Sequence, residues 1–150
     1  MQMNHYSRFF VMIALHFIAM YMFMYAMVNT FNNVFNSFNQ VYMAALMTAS
    51  MVLIEIPLMM SMYKSKKLNV IILAVGVVVL VGSFLAIRKQ VAISDRQFLR
   101  SMIPHHAGAI LMCEQASIQD PEIKNLCKNI IAGQQAEIDQ MKATLEQLAK

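Results

Sequence analysis

Histidine, methionine and cysteine side chains that could bind a metal are concentrated between Ser101 and Glu114. The stretch holds two imidazoles, two thioethers and one thiol, from His105, His106, Met102, Met112 and Cys113. These are borderline and soft donors, which suit copper and, less selectively, zinc. Thioether and imidazole together can hold Cu(I), or silver as its mimic, whereas imidazole alone would also serve Cu(II) or zinc. We therefore predict a soft-metal site, with copper as the first candidate.

These donors are expected on a helix. Ser94 and Gln97 have the spacing of a capping box, which predicts that a helix begins there and runs to about residue 116. Pro104 should kink or divide this helix, because it lacks a backbone N–H. At about 100° per residue, the five donors fall within roughly a third of the helix circumference.

A second helix should begin at Asp120, where Asp-Pro-Glu supplies an N-cap, a first-turn proline and a first-turn acid. The short break before it predicts an antiparallel hairpin. In that hairpin Cys113 lies opposite Cys127, His106 faces Gln134, and Met141 approaches Leu99, so the donors converge along the inner seam. The apolar residues at helical spacing predict the buried stripe, which is Ile123, Ile130, Ile131, Ile138 and Leu145.

Alternatives to metal binding remain open for the hairpin. Cys113 and Cys127 could form a disulfide, bind metal as thiols, or be small buried residues. An extracytoplasmic location would favour the disulfide. The histidines and methionines could equally be packing residues of a helical core.

Three apolar stretches before the hairpin predict membrane spans, at about 9–28, 41–62 and 68–87. The chain is 59% hydrophobic and only 13% charged, and a run of about twenty apolar residues can cross the hydrocarbon core. We therefore expect a membrane domain over 1–90 and a helical domain over 91–150. The hairpin alone buries little surface, so we expect it to self-associate into a four-helix bundle.

The distribution of charge predicts orientation and excludes one class of partner. The net charge of +4 divides into +5 over residues 1–90 and −1 over 91–150, so nucleic acid is not an expected partner. Arg8 and the basic turn 64–67 flank the spans on one side. The positive-inside rule then places the N-terminus in the cytoplasm and the hairpin outside the bacterial inner membrane. The basic residues after the third span oppose this orientation.

Methionines and two ionisable residues inside the spans suggest a second pattern. His16 and Met20 share a face of the first span with His5, Met12 and Met27. In the second span Met43, Met47 and Met51 step by four residues towards Glu55. Intramembrane ionisable residues are candidate functional groups, whereas a methionine stripe can also be simple packing. A copper relay through the spans is therefore an alternative hypothesis.

Catalytic motifs are missing from the sequence. It contains no E-x-x-H pair of a di-iron bundle, no H-E-x-x-H motif and no G-x-S-x-G motif. We therefore expect a binding protein and not an enzyme.

Two motifs of the hairpin resemble a known family. Phe98-Leu-Arg-Ser-Met-Ile-Pro-His-His-Ala-Gly-Ala-Ile-Leu-Met112 and Ile130-Ile-Ala-Gly-Gln-Gln-Ala-Glu-Ile-Asp-Gln-Met141 are similar to domain-of-unknown-function family three-hundred-and-five. The resemblance implies a ferritin-like helical bundle outside the cytoplasm that binds copper and supports metal resistance, as in a periplasmic copper-binding member. By position it implies five ligands, which are Met102, His105, His106, Met112 and Met141. Larger members carry a second histidine-containing hairpin, so this site could need a second subunit.

The leading hypothesis is a membrane-anchored copper-binding protein that sequesters copper or hands it over. Its expected partners are the lipid membrane, further copies of itself, and a copper transporter or chaperone. The alternatives are a structural or adaptor protein that oligomerises through the hairpin without metal, and a small accessory subunit of a metal transporter.

Overall fold

The computed structural model describes residues 4–149, and every regular element among them is helical. The ends of the two predicted domains, residues 1–3 and 150, lie outside the described residues. The five α-helices are α1 (His5–Phe23), α2 (Phe38–Leu58), α3 (Lys66–Lys89), α4 (Asp95–Gln115) and α5 (Pro121–Gln147), and a short 3₁₀ helix covers Phe31–Asn33. The prediction of an all-α protein is confirmed.

Helices α1, α2 and α3 form the first of two compact units, which comprises residues 4–23 and 39–91 of the described chain. All three helices are long and apolar enough to cross a membrane, as predicted. The buried residues at their shared core are Phe9, Val52, Ile56, Tyr63 and Ile72. Many of the remaining large apolar side chains are exposed, a pattern suited to helices whose outer faces contact lipid.

Helix α1 ends earlier than the first predicted span. Helix α1 ends at Phe23, five residues before the predicted end at Val28. The apolar residues that follow belong to the second unit, because Val28 packs against the buried residues of the hairpin. Met27 therefore does not lie on a face of α1, and its carbonyl oxygen would be 3.5 Å from a Cβ added to Gly108.

The second unit comprises residues 24–38 and 92–149, so it includes a segment that the predicted division at residue 90 assigned to the membrane domain. Its α4 and α5 form the predicted antiparallel hairpin. Four residues form its fully buried core, with Val28 and Phe35 of the 24–38 segment packed against them: Ile103, Ala107, Ile110 and Ile138. The hairpin is therefore covered on one side by chain that sequence reasoning placed elsewhere.

The ends of the hairpin helices follow the predicted signals in part. The Asp120 carboxylate accepts from the backbone N–H groups of Glu122 and Ile123, at 2.8 and 3.0 Å, as an N-cap should. Ser94 occupies the N-cap position of α4, but its side chain makes no capping hydrogen bond. Pro104 does not divide α4, which is continuous through it; the proline ring is instead buried.

The predicted buried stripe of α5 is only partly correct. Ile138 is fully buried, whereas Ile123 is 49% exposed. Ile130, Ile131 and Leu145 are half-buried. Because α5 packs mainly on one helix, only the centre of its apolar face is covered.

Ile138→Ala should destabilise the hairpin strongly, since it leaves a cavity among Ile103, Ala107 and Ile110. We expect a loss of about 3 kcal/mol, within the usual range for such truncations. Ile123→Ala is the matched control on the same helix and should cost under about 1 kcal/mol, because its side chain is half exposed. Thermal unfolding of the full chain in detergent, followed by circular dichroism, measures both. Equal losses from the two variants would contradict this description of the core.

Candidate metal site

A cleft between α4 and α5 brings together four side chains that could bind a metal. Met102 and His106 line it from α4, and Glu137 and Met141 line it from α5. The cleft is open to solvent and has a volume of about 310 Å³. It therefore contains two thioethers, one imidazole and one carboxylate.

Both ring nitrogens of His106 face hydrogen-bond acceptors. Nδ1 lies 2.9 Å from the Met102 carbonyl oxygen, and Nε2 lies 2.8 Å from Oε2 of Glu137. A doubly protonated imidazolium can donate to both groups, whereas a neutral ring can donate to one only. When Nδ1 carries the proton of the neutral ring, the carbonyl orients it and Nε2 presents its lone pair to the cleft. The ring is therefore positioned for either a proton or a metal at Nε2.

Glu137 is the residue of the cleft that sequence reasoning missed, because residue counting placed Gln134 opposite His106. Side chains on a helix lean towards its N-terminus. The imidazole of His106 therefore reaches past the level of its own Cα, towards later residues of α5. Glu137 lies in the Q-x-E-I-x-x-M element, and applying this lean to that motif would have identified it.

Three of the predicted donors do not line the cleft. His105 is exposed and Met112 is 53% exposed, while Cys113 lies nearer the hairpin turn. The rings of His105 and His106 are 6.1 Å apart between centroids and inclined at 63°. The buried stripe of α4 runs through Ile103, Ala107 and Ile110, so the predicted donor face is centred to one side of it. Met102 and His106, on the side of this face next to the buried stripe, line the cleft, whereas His105 and Met112 face away from it.

The described residues, 4–149, contain no group of three or more His, Cys, Asp or Glu side chains that could hold a metal ion. A metal in the cleft would therefore need the thioethers of Met102 and Met141 beside His106 and Glu137. Thioether and imidazole suit Cu(I), and imidazole with carboxylate suits Cu(II). The donor chemistry of the cleft therefore fits copper in either oxidation state.

The two cysteines form a separate pair near the turn of the hairpin. Cys113 and Cys127 are both free and half-buried, and they face each other across the hairpin as its register predicts. The hydrogen bond to Cys127, followed by burial and the charge of a Cys127 thiolate, raises the pKa of Cys113 to about 11. Their contact leaves both the disulfide and the thiol-ligand alternatives available.

The intramembrane candidates lie apart from the apolar cavity of the first unit. Met43 and Met47 are exposed, Met51 packs beside the core of the first unit, and Glu55 accepts a hydrogen bond from the Tyr63 hydroxyl at 3.2 Å. His16 and Met20 are half-buried. The cavity of about 620 Å³ among α1, α2 and α3 has apolar walls, and none of these six residues lines it.

Comparison with known proteins identifies the family. Residues 28–145 match DUF305, a domain of unknown function. The chain belongs to this family. The DUF305 chain is also 38% identical, over 111 residues, to an uncharacterised protein of Acanthamoeba polyphaga mimivirus, an alignment that covers 73% of this chain and 71% of that protein. No solved structure matches the DUF305 chain. The predicted family is therefore confirmed, and the match includes α2 and α3 as well as the hairpin.

Cys127→Ala should increase the reactivity of Cys113, because it removes the hydrogen bond that raises the pKa of that thiol. Alkylation requires the thiolate, whose fraction near neutral pH grows about tenfold for each unit by which the pKa falls. We expect the rate of Cys113 alkylation by iodoacetamide to rise on the order of tenfold. Peptide mass spectrometry of the reduced full chain over a time course measures it. An unchanged rate would show that the two thiols do not interact.

Proposed function

We propose that this DUF305 protein binds copper in the cleft of its hairpin. Anchored by α1, α2 and α3 in a bacterial inner membrane, it would sequester copper or hand it over on the extracytoplasmic side, supporting metal resistance or homeostasis. The observation that carries the proposal is the imidazole of His106, oriented into a cleft that also holds two thioethers and a carboxylate.

Each of the four potential ligands in the cleft has a role in this proposal. Nε2 of His106 is the nitrogen ligand, and its Nδ1–H donates to the Met102 carbonyl, an arrangement that commonly orients metal-binding histidines. The sulfurs of Met102 and Met141 are the thioether ligands. Glu137 holds the ring when no metal is bound, and its carboxylate can join the ligands of Cu(II). Silver would follow Cu(I), and zinc would rely on His106 and Glu137.

Copper and a proton compete for Nε2 of His106. In the imidazolium form this nitrogen donates to Glu137 and has no lone pair for a metal. Because a proton on this nitrogen excludes the metal, copper affinity should fall as the pH falls. An acidic compartment would favour release of the metal, and a neutral one would favour its capture.

His105 and Met112 fit the proposal only through a second subunit. Both lie on an exposed part of α4, away from the cleft of their own chain. The hairpin also exposes large apolar residues, among them Phe98, Ile123 and Leu126. Self-association would cover these residues and complete a ferritin-like four-helix bundle. It could also bring His105 and Met112 to a site shared between subunits.

The same exposed apolar residues support a second candidate function. A structural or adaptor protein would use them to assemble with itself, or with a copper transporter or chaperone, and would need no metal. In that case His106 and Glu137 only join α4 to α5, and the protein could act as an accessory subunit of a transporter.

Titration of the full chain in detergent with Cu(I) and Cu(II), against a chromophoric competitor, separates these functions. We expect His106→Ala to weaken binding at least about tenfold, since it removes an oriented ligand. His105→Ala is the matched control and should change the affinity of the single-chain cleft by less than about twofold. Both variants should keep the helical content of the wild type.

Three results would count against the proposal. Wild-type protein that is helical and binds no copper supports the adaptor function. Equal loss in His105→Ala and His106→Ala would move the site to a subunit interface. Binding that does not weaken as the pH is lowered would exclude His106 as the ligand.

A further inference from the structure

A second cleft of the hairpin unit is lined by basic side chains. Arg96 and Arg100 lie one turn apart on α4, and Lys142 reaches the cleft from α5. Asn32 and Phe35 of the 24–38 segment close its other side. The cleft has a volume of about 530 Å³ and contains a single acidic residue of the described chain, Glu146.

Among residues 4–149, the cations of this cleft form no ion pair, although Glu146 lines the same cleft. The one ion pair in this part of the chain joins His106 to Glu137. Arg100 and Lys142 are half-buried, and no carboxylate of the described chain, Glu146 included, pairs with either of them within ion-pair distance. Half-buried, unpaired cations are stabilised by an anion from solution or from a membrane surface.

The segments that line this cleft are joined directly to the ends of α1, α2 and α3, the three helices that could span a bilayer. Asn32 and Phe35 belong to the segment that joins α1 directly to α2. Arg96 lies seven positions after Lys89, the end of α3, so the chain between them can extend over at most about 25 Å. Three crossings place the end of α1, the start of α2 and the end of α3 on one side of the membrane. The 24–38 segment and the start of α4, which both line the cleft, are therefore joined through the chain to span ends on that side.

We propose that Arg96, Arg100 and Lys142 form a binding site for the phosphate of an anionic phospholipid headgroup. Guanidinium groups match the geometry of phosphate oxygens, and an ammonium adds a point charge. The Asn32 amide can donate to the same headgroup. Such a site also gives a role to cations that lie on the side of the spans where the positive-inside rule expects few.

Native mass spectrometry of the full chain released from nanodiscs tests this site. The discs would contain equal amounts of phosphatidylglycerol and phosphatidylcholine. We expect wild-type protein to retain phosphatidylglycerol preferentially. Arg100→Gln/Lys142→Gln should reduce this retention on the order of tenfold, since each basic residue near a membrane surface contributes to anionic-lipid binding. Lys124→Gln/Lys128→Gln removes the same charge from exposed positions of α5 and should have little effect.

Two further experiments separate loss of charge from misfolding and lipid binding from phosphate binding. The first uses a variant that preserves the charge of the cleft, and the second uses inorganic phosphate as a competitor. Arg100→Lys/Lys142→Arg should keep most of the retention. Inorganic phosphate at millimolar concentration should not strip the lipid. Equal retention of the two lipids by wild-type protein, or equal losses from the cleft and control variants, would overturn the proposal. Phosphate that binds through Arg100 and Lys142 without lipid enrichment would also overturn it, and would assign the cleft to free phosphate.

Discussion

The hydrogen-bonded pair of His106 and Glu137 is the contact on which the proposed copper site depends. The hydrogen bond joins α4 to α5 beside the cleft that Met102 and Met141 also line. It contributes little to stability, because the Glu137 side chain is 57% exposed and such pairs are worth about 1 kcal/mol or less. The buried core of Ile103, Ala107, Ile110 and Ile138 holds the two helices together instead. The core therefore sets the register of the two helices, and the pair orients the His106 imidazole within the cleft.

Long periodic or apolar stretches made most of the fold predictable from the sequence. The apolar runs identified α1, α2 and α3, and Asp120 with Pro121 located the start of α5 within the described chain. Residue counting across the hairpin also matched Cys113 to Cys127. The end of α1 was not predictable, because hydropathy does not distinguish residues that enter a membrane from residues such as Val28, which pack in the hairpin core.

The candidate site was predicted less completely than the fold. Donor type and helical periodicity selected Met102, His106 and Met141, but they also selected His105 and Met112, which face away from the cleft. Which of these donors line the cleft depends on which face of α4 is buried. The buried face carries Ile103, Ala107 and Ile110, but the sequence of α4 alone does not distinguish it from other apolar faces of the same helix. Glu137 was missed because counting along two helices ignores the lean of the side chains between them.

The 24–38 segment connects two of the proposed membrane spans and belongs to the unit that contains the proposed copper site. It connects α1 to α2, yet it packs with the hairpin, so the chain passes between the two units at three points. Removing it would expose the core that Val28 and Phe35 cover. The hairpin is thus better studied in the full chain than as an isolated C-terminal fragment.

X-ray absorption spectroscopy of the copper-loaded full chain tests the central claim most directly, because it reports which elements surround the metal. We expect sulfur together with nitrogen or oxygen neighbours around Cu(I). The sulfur contribution should disappear in Met102→Leu/Met141→Leu and persist in Cys113→Ser/Cys127→Ser. Sulfur that survives the methionine substitutions and disappears with the cysteines would contradict the cleft as the copper site and assign the metal to the thiol pair.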